Sequence, residues 1–238
     1  MVMTDSKRPR TLHIVGVTHL PQTLEAVRED LFRAAKSGLR RIGLEGTAEE
    51  INATESTRVL LENIGLGYGF FNLLAKTAKS LNVSVLPLDN LDGSVMSTAI
   101  IMAMHLRTTC TRDGVDISEA IRGMEAFQVT PASSIQMPEH LLSFLRKWTS
   151  IALDLYKRSP QELSELMGND IRVRSRNMAS RIKDGDVEMA ITGYLHATEI
   201  AEALRAEYDD IRLHFIPEKG LPELIQQFKD ATSTNPEH

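Results

Sequence analysis

Four side chains able to bind a metal ion or move a proton fall just after β-type runs in this sequence. They are His19 after Thr11–Val17, Glu45 after Arg40–Leu44, Asp89 after Val83–Leu88 and His196 after Val187–Thr192. The two histidines stand in matching settings, Gly16-Val17-Thr18-His19 and Gly193-Tyr194-Leu195-His196. In an open parallel sheet the carboxyl ends of all strands lie along one edge, and ligands bind in the crevice there. Two neutral imidazoles and one carboxylate form a facial donor set suited to Zn, Mn, Co or Fe, with positions left for water. A glycine ahead of each histidine is expected to let the backbone turn sharply and to leave room for a ligand. Polar residues after buried strands also serve as turn residues and helix caps, and Asp89 could cap a helix opening near Asp92. Histidine is rarer in such places, so the histidine pair carries the functional reading.

A second signal precedes the fourth strand, where Arg172, Arg174, Arg176 and Arg181 crowd one helix with Asn177, Met178 and Ala179. Helical spacing puts Arg172 and Arg176 on one face and Arg174 close to the face of Met178. If Arg174 points inward with Met178 it needs a carboxylate or a bound anion, because a buried unpaired guanidinium is costly.

The elements that must position these residues alternate along the chain. The strand Thr11–Val17 leads to a helix after Pro21 on Leu24, Val27, Leu31 and Ala35, closed by Gly38. Arg40–Leu44 is the second strand, Ala48–Asn63 and Tyr68–Leu81 are helices, and Val83–Leu88 is the third strand. From Leu91 to Lys183 the pattern is helical. One helix opens at Asp92-Gly93, a turn follows at 111–114, and further helices start at Asp116, Pro138 and Pro160. Strands return at Val187–Thr192 and Ile211–Ile216, each followed by a helix, Ala197–Tyr208 and Leu221–Ala231. This order predicts an α/β fold: a mostly parallel central sheet flanked by helices, in a single domain over 1–238 with a helical insertion over 91–183.

Composition narrows the classes. The 238 residues are 42% hydrophobic and 25% charged, the signature of an ordinary globular chain. Lys and Arg number 27 against 32 Asp and Glu, and the net charge of -5 argues against nucleic acid or an anionic membrane as partner. The single Cys110 excludes an internal disulfide and multi-cysteine zinc clusters, so any metal must use His, Asp and Glu. The polar, basic stretch Met1–Arg10 lacks the apolar core of a signal peptide, and no run reaches the ~20 apolar residues of a membrane span, so a cytoplasmic location is expected. Gly65-Leu66-Gly67-Tyr68-Gly69 looks like a phosphate loop, but it follows a helix and no Lys-Ser/Thr pair comes after it. It reads as a helix stop and turn. His105 reads as a packed residue on an apolar helical face.

Gly-Val-Thr-His ending at His19, Ile-Gly-Leu-Glu ending at Glu45, and Arg174-Ser-Arg-Asn-Met178-Ala179 followed by Gly-Tyr-Leu-His ending at His196 together resemble the TraB/PrgY and Tiki-like proteins. Those proteins are distantly related to erythromycin esterases and the haem-binding ChaN proteins. The resemblance covers roughly residues 10–90 and 170–218, and the middle helices match only in character. It implies that His19, Glu45 and His196 hold a divalent metal (Zn, Mn or Co) and that Arg174 belongs to the site. Tiki-like members are described as metal-dependent proteases, erythromycin esterases as hydrolases able to work without metal. TraB/PrgY members are linked to peptide-pheromone signalling and often carry membrane spans, which are not expected here.

The expectation is a metal-dependent hydrolase acting on a peptide or amide bond. Glu45 would be third ligand or general base, Arg174 would stabilise charge on the attacked carbonyl, and Asp89 would orient a ligand. A metal-free esterase with a histidine base, or a non-enzymatic module binding a small molecule or haem, uses the same residues. The expected partner is a peptide or small-molecule substrate, and homo-oligomerisation stays open.

Overall fold

The computed structural model describes residues 10–19, 21–55, 69–90, 96–97, 99–101, 103–104, 116–135, 137 and 139–216. Among them run five strands: β1 (Thr11–Val17), β2 (Arg41–Leu44), β3 (Ser84–Pro87), β4 (Met189–Gly193) and β5 (Asp210–Ile216). The helices with defined bounds are α1 (Pro21–Lys36), α2 (Ala48–Ile51), α3 (Gly69–Ser80), α4 (Ile117–Val129), α5 (Glu139–Tyr156), α6 (Pro160–Asp184) and α7 (Tyr194–Leu204). The turn at 111–114, the final helix at 221–231, His105 and Cys110 lie outside the described residues. So do four of the five residues of the glycine run, whose last member, Gly69, opens α3.

All pairings are parallel and the sheet order is β3-β2-β4-β1-β5. Val15 and Val17 of β1 pack with α1 and α3 in one apolar layer, through Val27, Leu31, Phe71 and Leu74. Leu12 and Ile14 pack on the other face with Met178 and Ile182 of α6 and Ala197 and Ile200 of α7. Alternate β1 residues thus face opposite layers, the period-2 geometry of a strand buried on both sides. The crossovers leading towards β3 use the first layer and those leading towards β5 the second, so the winding reverses between β1 and β4. The crevice beyond those two strand ends is the topological switch point, where doubly wound sheets bind ligands.

One device is repeated at three of the passages from helix to strand. Gly38 (φ 98°), Asn82 (φ 58°) and Asp186 (φ 51°) take the left-handed conformation just past α1, α3 and α6. The following amide reaches five residues back each time: Leu39 to Ala34, Val83 to Ala78 and Val187 to Ile182, at 3.1, 2.9 and 3.2 Å. These are Schellman closures, which satisfy helix-end carbonyls and aim the chain straight into β2, β3 and β4.

Two helix expectations need correction. The helix expected over Ala48–Asn63 stops at Ile51, and Asn52–Thr54 are not helical. Buried Asn72 of α3 donates its amide to the carbonyls of Glu50, Ile51 and Ala53 at 3.1, 3.3 and 3.1 Å, diverting them from a further helical turn. The helix expected to begin at Ala197 begins at Tyr194, directly after β4 with Gly193 as its N-cap, and ends at Leu204. His196 therefore sits in the first turn of α7 rather than in the loop before it.

Contacts divide the described residues into two compact units, one comprising those before 92 and from 171 onward, the other those between 92 and 170. The second unit is helical. Asp116 caps α4 by accepting the Ser118 amide at 2.9 Å, and Gln128 donates to the Arg146 carbonyl at 2.7 Å to tie α4 to α5. Before α6, Ser159 and Glu162 form a reciprocal capping box, with amide-to-side-chain distances of 3.2 and 2.7 Å, and Pro160 takes the first helical position. From Ile171 on, α6 belongs to the α/β unit. Among the described residues no helix is long and apolar enough to cross a membrane.

Candidate functional site

Glu45 is the centre of the cluster. It follows β2, whose last residue passes its carbonyl to the Leu88 amide at 2.8 Å, and the Glu45 amide donates to Ile191 of β4 at 3.0 Å. The carboxylate turns towards α6 and α7. Its Oε2 accepts the Gly193 backbone N–H, and its Oε1 accepts from Arg174 Nη2 at 3.2 Å and lies 3.5 Å from His196 Nε2. Burial alone would raise the Glu45 pKa. His196, His19, Arg174 and the Gly193 amide outweigh it and hold the group below the usual carboxylate value, so it is ionised at neutral pH.

Arg174 and Met178 are both buried one turn apart on α6, while Arg172 and Arg176 are exposed, as helical spacing dictates. The guanidinium meets Asp89 through Nη2–Oδ2 at 2.5 Å and Nε–Oδ1 at 3.4 Å, as well as Glu45. Asp89 is thus Arg174's ion-pair partner at the end of β3. Arg181, two turns further on, donates to the carbonyls of Pro87 and Asp89 at 3.2 and 3.0 Å and pins the same strand end.

The two histidines differ. His196 is 4% exposed and its Nδ1 is 2.9 Å from Ser175 Oγ. His19 keeps open surface, yet its ring stacks on Phe70 (centroids 5.6 Å) and meets the edge of Phe71 (4.7 Å) at the start of α3. This enclosure lowers its pKa from the ordinary 6.5. The pull of Glu45 in the other direction does not cancel it, and His196 and Arg174 add to the lowering, leaving a neutral imidazole at neutral pH.

The matching Gly-x-x-His settings are not equivalent. Val17, not Gly16, pairs with Gly193, so the motifs are one residue out of register. A Cβ on Gly193 would stand 3.1 Å from Glu45 Oε2 and 3.3 Å from His19 Nε2, so this glycine does keep space open inside the cluster. A Cβ on Gly16 would lie 2.4 Å from the Phe215 ring. The expectation that Gly16 makes room for a ligand is corrected: it makes room for Phe215 of β5.

Glu50 was not singled out from the sequence. In the Thr47-Ala48-Glu49-Glu50 segment the Thr47 hydroxyl accepts the Glu50 amide at 3.2 Å, and the Glu50 carboxyl accepts the Thr47 amide, a capping box that the spacing could have revealed. Burial, with the Glu45 and Asp89 charges adding to it, pushes the Glu50 pKa up to about 8 against the Thr47 hydrogen bond. Ser175, Phe70 and Phe71 also line the cluster without a sequence signal of their own.

The structure therefore brings Glu45, Asp89, Arg174 and His196 together, with His19 beside them at the open side. Among the described residues no group of three or more His, Cys, Asp or Glu converges closely enough to count as a metal centre. One pair of donors has the spacing of two ligands. Glu45 is already ionised and His19 neutral, and 3.5 Å between His196 Nε2 and Glu45 Oε1 is close to the ~3.4 Å between two ligands of one tetrahedral ion with ~2.0–2.1 Å bonds. A concavity of about 1400 Å³ runs along α1 and β5. In its lining Asp30 meets His214 at 3.0 Å and Arg10 meets Asp186 at 2.7 Å, and the strand-end cluster is absent from it. No protein-family model, curated protein or solved structure matches this chain.

Proposed function

We propose that the chain is a hydrolase that activates water at the switch-point crevice, with a divalent ion (Zn, Mn or Co) held by His19, Glu45 and His196. The observation that carries this reading is one ionised carboxylate flanked by two imidazoles from adjacent strand ends, His196 at Oε1 and His19 near Oε2. The charge balance supports it: Glu45 and Asp89 face a single guanidinium, which leaves the cluster negative when both histidines are neutral. When bound, such an ion supplies Lewis acidity, acidifying water and polarising a carbonyl. Arg174 neutralises Asp89 and holds Glu45, and the Gly193 amide fixes the second carboxylate oxygen. The resemblance to Tiki-like proteases makes a peptide or amide bond the substrate class.

Elemental analysis of the purified protein tests this. His19→Ala and His196→Ala should each abolish stoichiometric metal uptake while circular dichroism and the unfolding midpoint stay close to wild type. Full metal content in the double mutant ends the reading. A metal-free esterase with His19 as general base, oriented by Glu45, is favoured by the lack of a closed three-residue donor group among the described residues and by the open face of His19. Hydrolysis that survives chelator and disappears in His19→Ala would establish it instead.

A further inference from the structure

We infer that Ser175 is a positioning residue that fixes the tautomer of His196 and so decides which ring nitrogen faces Glu45. Ser175 Oγ lies 2.7 Å from the Ile171 carbonyl oxygen and 2.9 Å from His196 Nδ1. A hydroxyl has one proton and a carbonyl oxygen only accepts. Both bonds form together in one arrangement: Ser175 donates to Ile171, one helical turn back, and accepts from an Nδ1–H of His196. The opposite assignment would press two proton-free oxygens together at 2.7 Å. Ser175 is 1% exposed, so there is little solvent to relieve such a clash.

The Nε2 lone pair of His196 then looks towards Glu45 Oε1 at 3.5 Å. Two acceptors facing each other in a buried place repel until a cation or a donor sits beside both. The Ser175–Ile171 bond thereby keeps the ring poised to receive one. Ser175 itself is no nucleophile here, because its proton is committed to Ile171 inside α6. The inference rests on the proposed site only in taking His196 as one of its working groups.

The test uses the full chain with chelator at pH 8, reading the His196 ring by long-range proton–nitrogen correlation in wild type, Ser175→Ala and Ser175→Thr. Wild type should carry its proton on Nδ1, Ser175→Ala should move at least half the population to Nε2–H, and Ser175→Thr should restore the wild-type pattern. A wild-type ring protonated at Nε2, or a Ser175→Ala spectrum identical to wild type, overturns the inference, and the wild-type spectrum decides even if Ser175→Ala does not fold. Titration with Co2+ alone gives the second readout, a loss of affinity of about 10- to 100-fold in Ser175→Ala. A wild type that binds no Co2+ yet shows the tautomer shift upholds the role of Ser175 while removing the ion from the proposed function.

Discussion

Glu50 offers a measurement that isolates one group. Its folded pKa is pushed up to about 8 from an ordinary 4.5, so the folded state favours the protonated acid. Stability from this source is fully present below 4.5 and is lost as pH rises through 8, since the folded state holds the extra proton between those values. Over that window the loss amounts to about 5 kcal/mol, a large share of a typical folding free energy of ~5–15 kcal/mol. Glu50→Gln removes the charge and keeps a side-chain oxygen to accept the Thr47 amide. Urea unfolding of both proteins at pH 5 to 9, in chelator so that no cation screens Glu45, gives the difference directly. Glu50→Gln should match wild type near pH 5 and exceed it by several kcal/mol at pH 9. Parallel stability curves across the range would refute the account of a buried, charge-opposed carboxyl.

The two motif glycines should respond differently. Gly16→Ala should cost about 1–3 kcal/mol in urea unfolding, because Phe215 must move, and Phe215→Leu in the same chain should recover much of it. Gly193→Ala meets no such wall of core, so its stability should fall by less than about 1 kcal/mol while Co2+ affinity and hydrolysis fall at least tenfold, the methyl standing between Glu45 and His19. Arg174→Met leaves Asp89 and Glu45 facing each other in a buried place and should cost roughly 3–5 kcal/mol, with adding Asp89→Asn costing nothing further or restoring stability. His19, with its lowered pKa, stabilises the fold above 6.5 and loses that contribution as pH falls through its folded value. The acid limb of hydrolysis should accordingly have its midpoint below pH 6.5, and a midpoint above it would contradict the enclosure of the ring.

What the sequence makes legible is local. Apolar β-branched runs mark the strands, Gly38 marks a helix end through its left-handed backbone, and the i, i+4 spacing of Arg174 and Met178 places an arginine inside the α/β unit. The parallel sheet with a helical insertion follows from alternation, because parallel strands need crossovers. What stays illegible depends on partners far along the chain. That β4 lies between β1 and β2 is decided by tertiary packing, so nothing near residue 17 announces that Gly193 is its neighbour. The repeated Gly-x-x-His pattern suggested one role twice, yet Phe215 claims the space at Gly16 while Glu45 and His19 border that at Gly193. Asn72 ends α2 from a separate helix, which no periodicity within Ala48–Asn63 could report. Ser175 reads as an ordinary helical serine until the first turn of α7 is packed against it.

The same long-range character explains how the fold can afford an ionised Glu45 at its centre. Its partners Arg174 and Gly193 lie 129 and 148 residues away, so compensation exists only once β2, β4 and α6 are assembled. A carboxylate buried on a half-formed sheet would lack them and would favour protonation or water instead. The charge therefore penalises partly assembled states more than the native one. Arg174 carries the same logic through Asp89, tying the end of the outermost strand β3 to the helix that leads into β4. At the switch point the carboxylate and His196 are buried, while His19 keeps open surface. The negative charge left after Arg174 is satisfied then lies beside His19, the exposed member of the cluster.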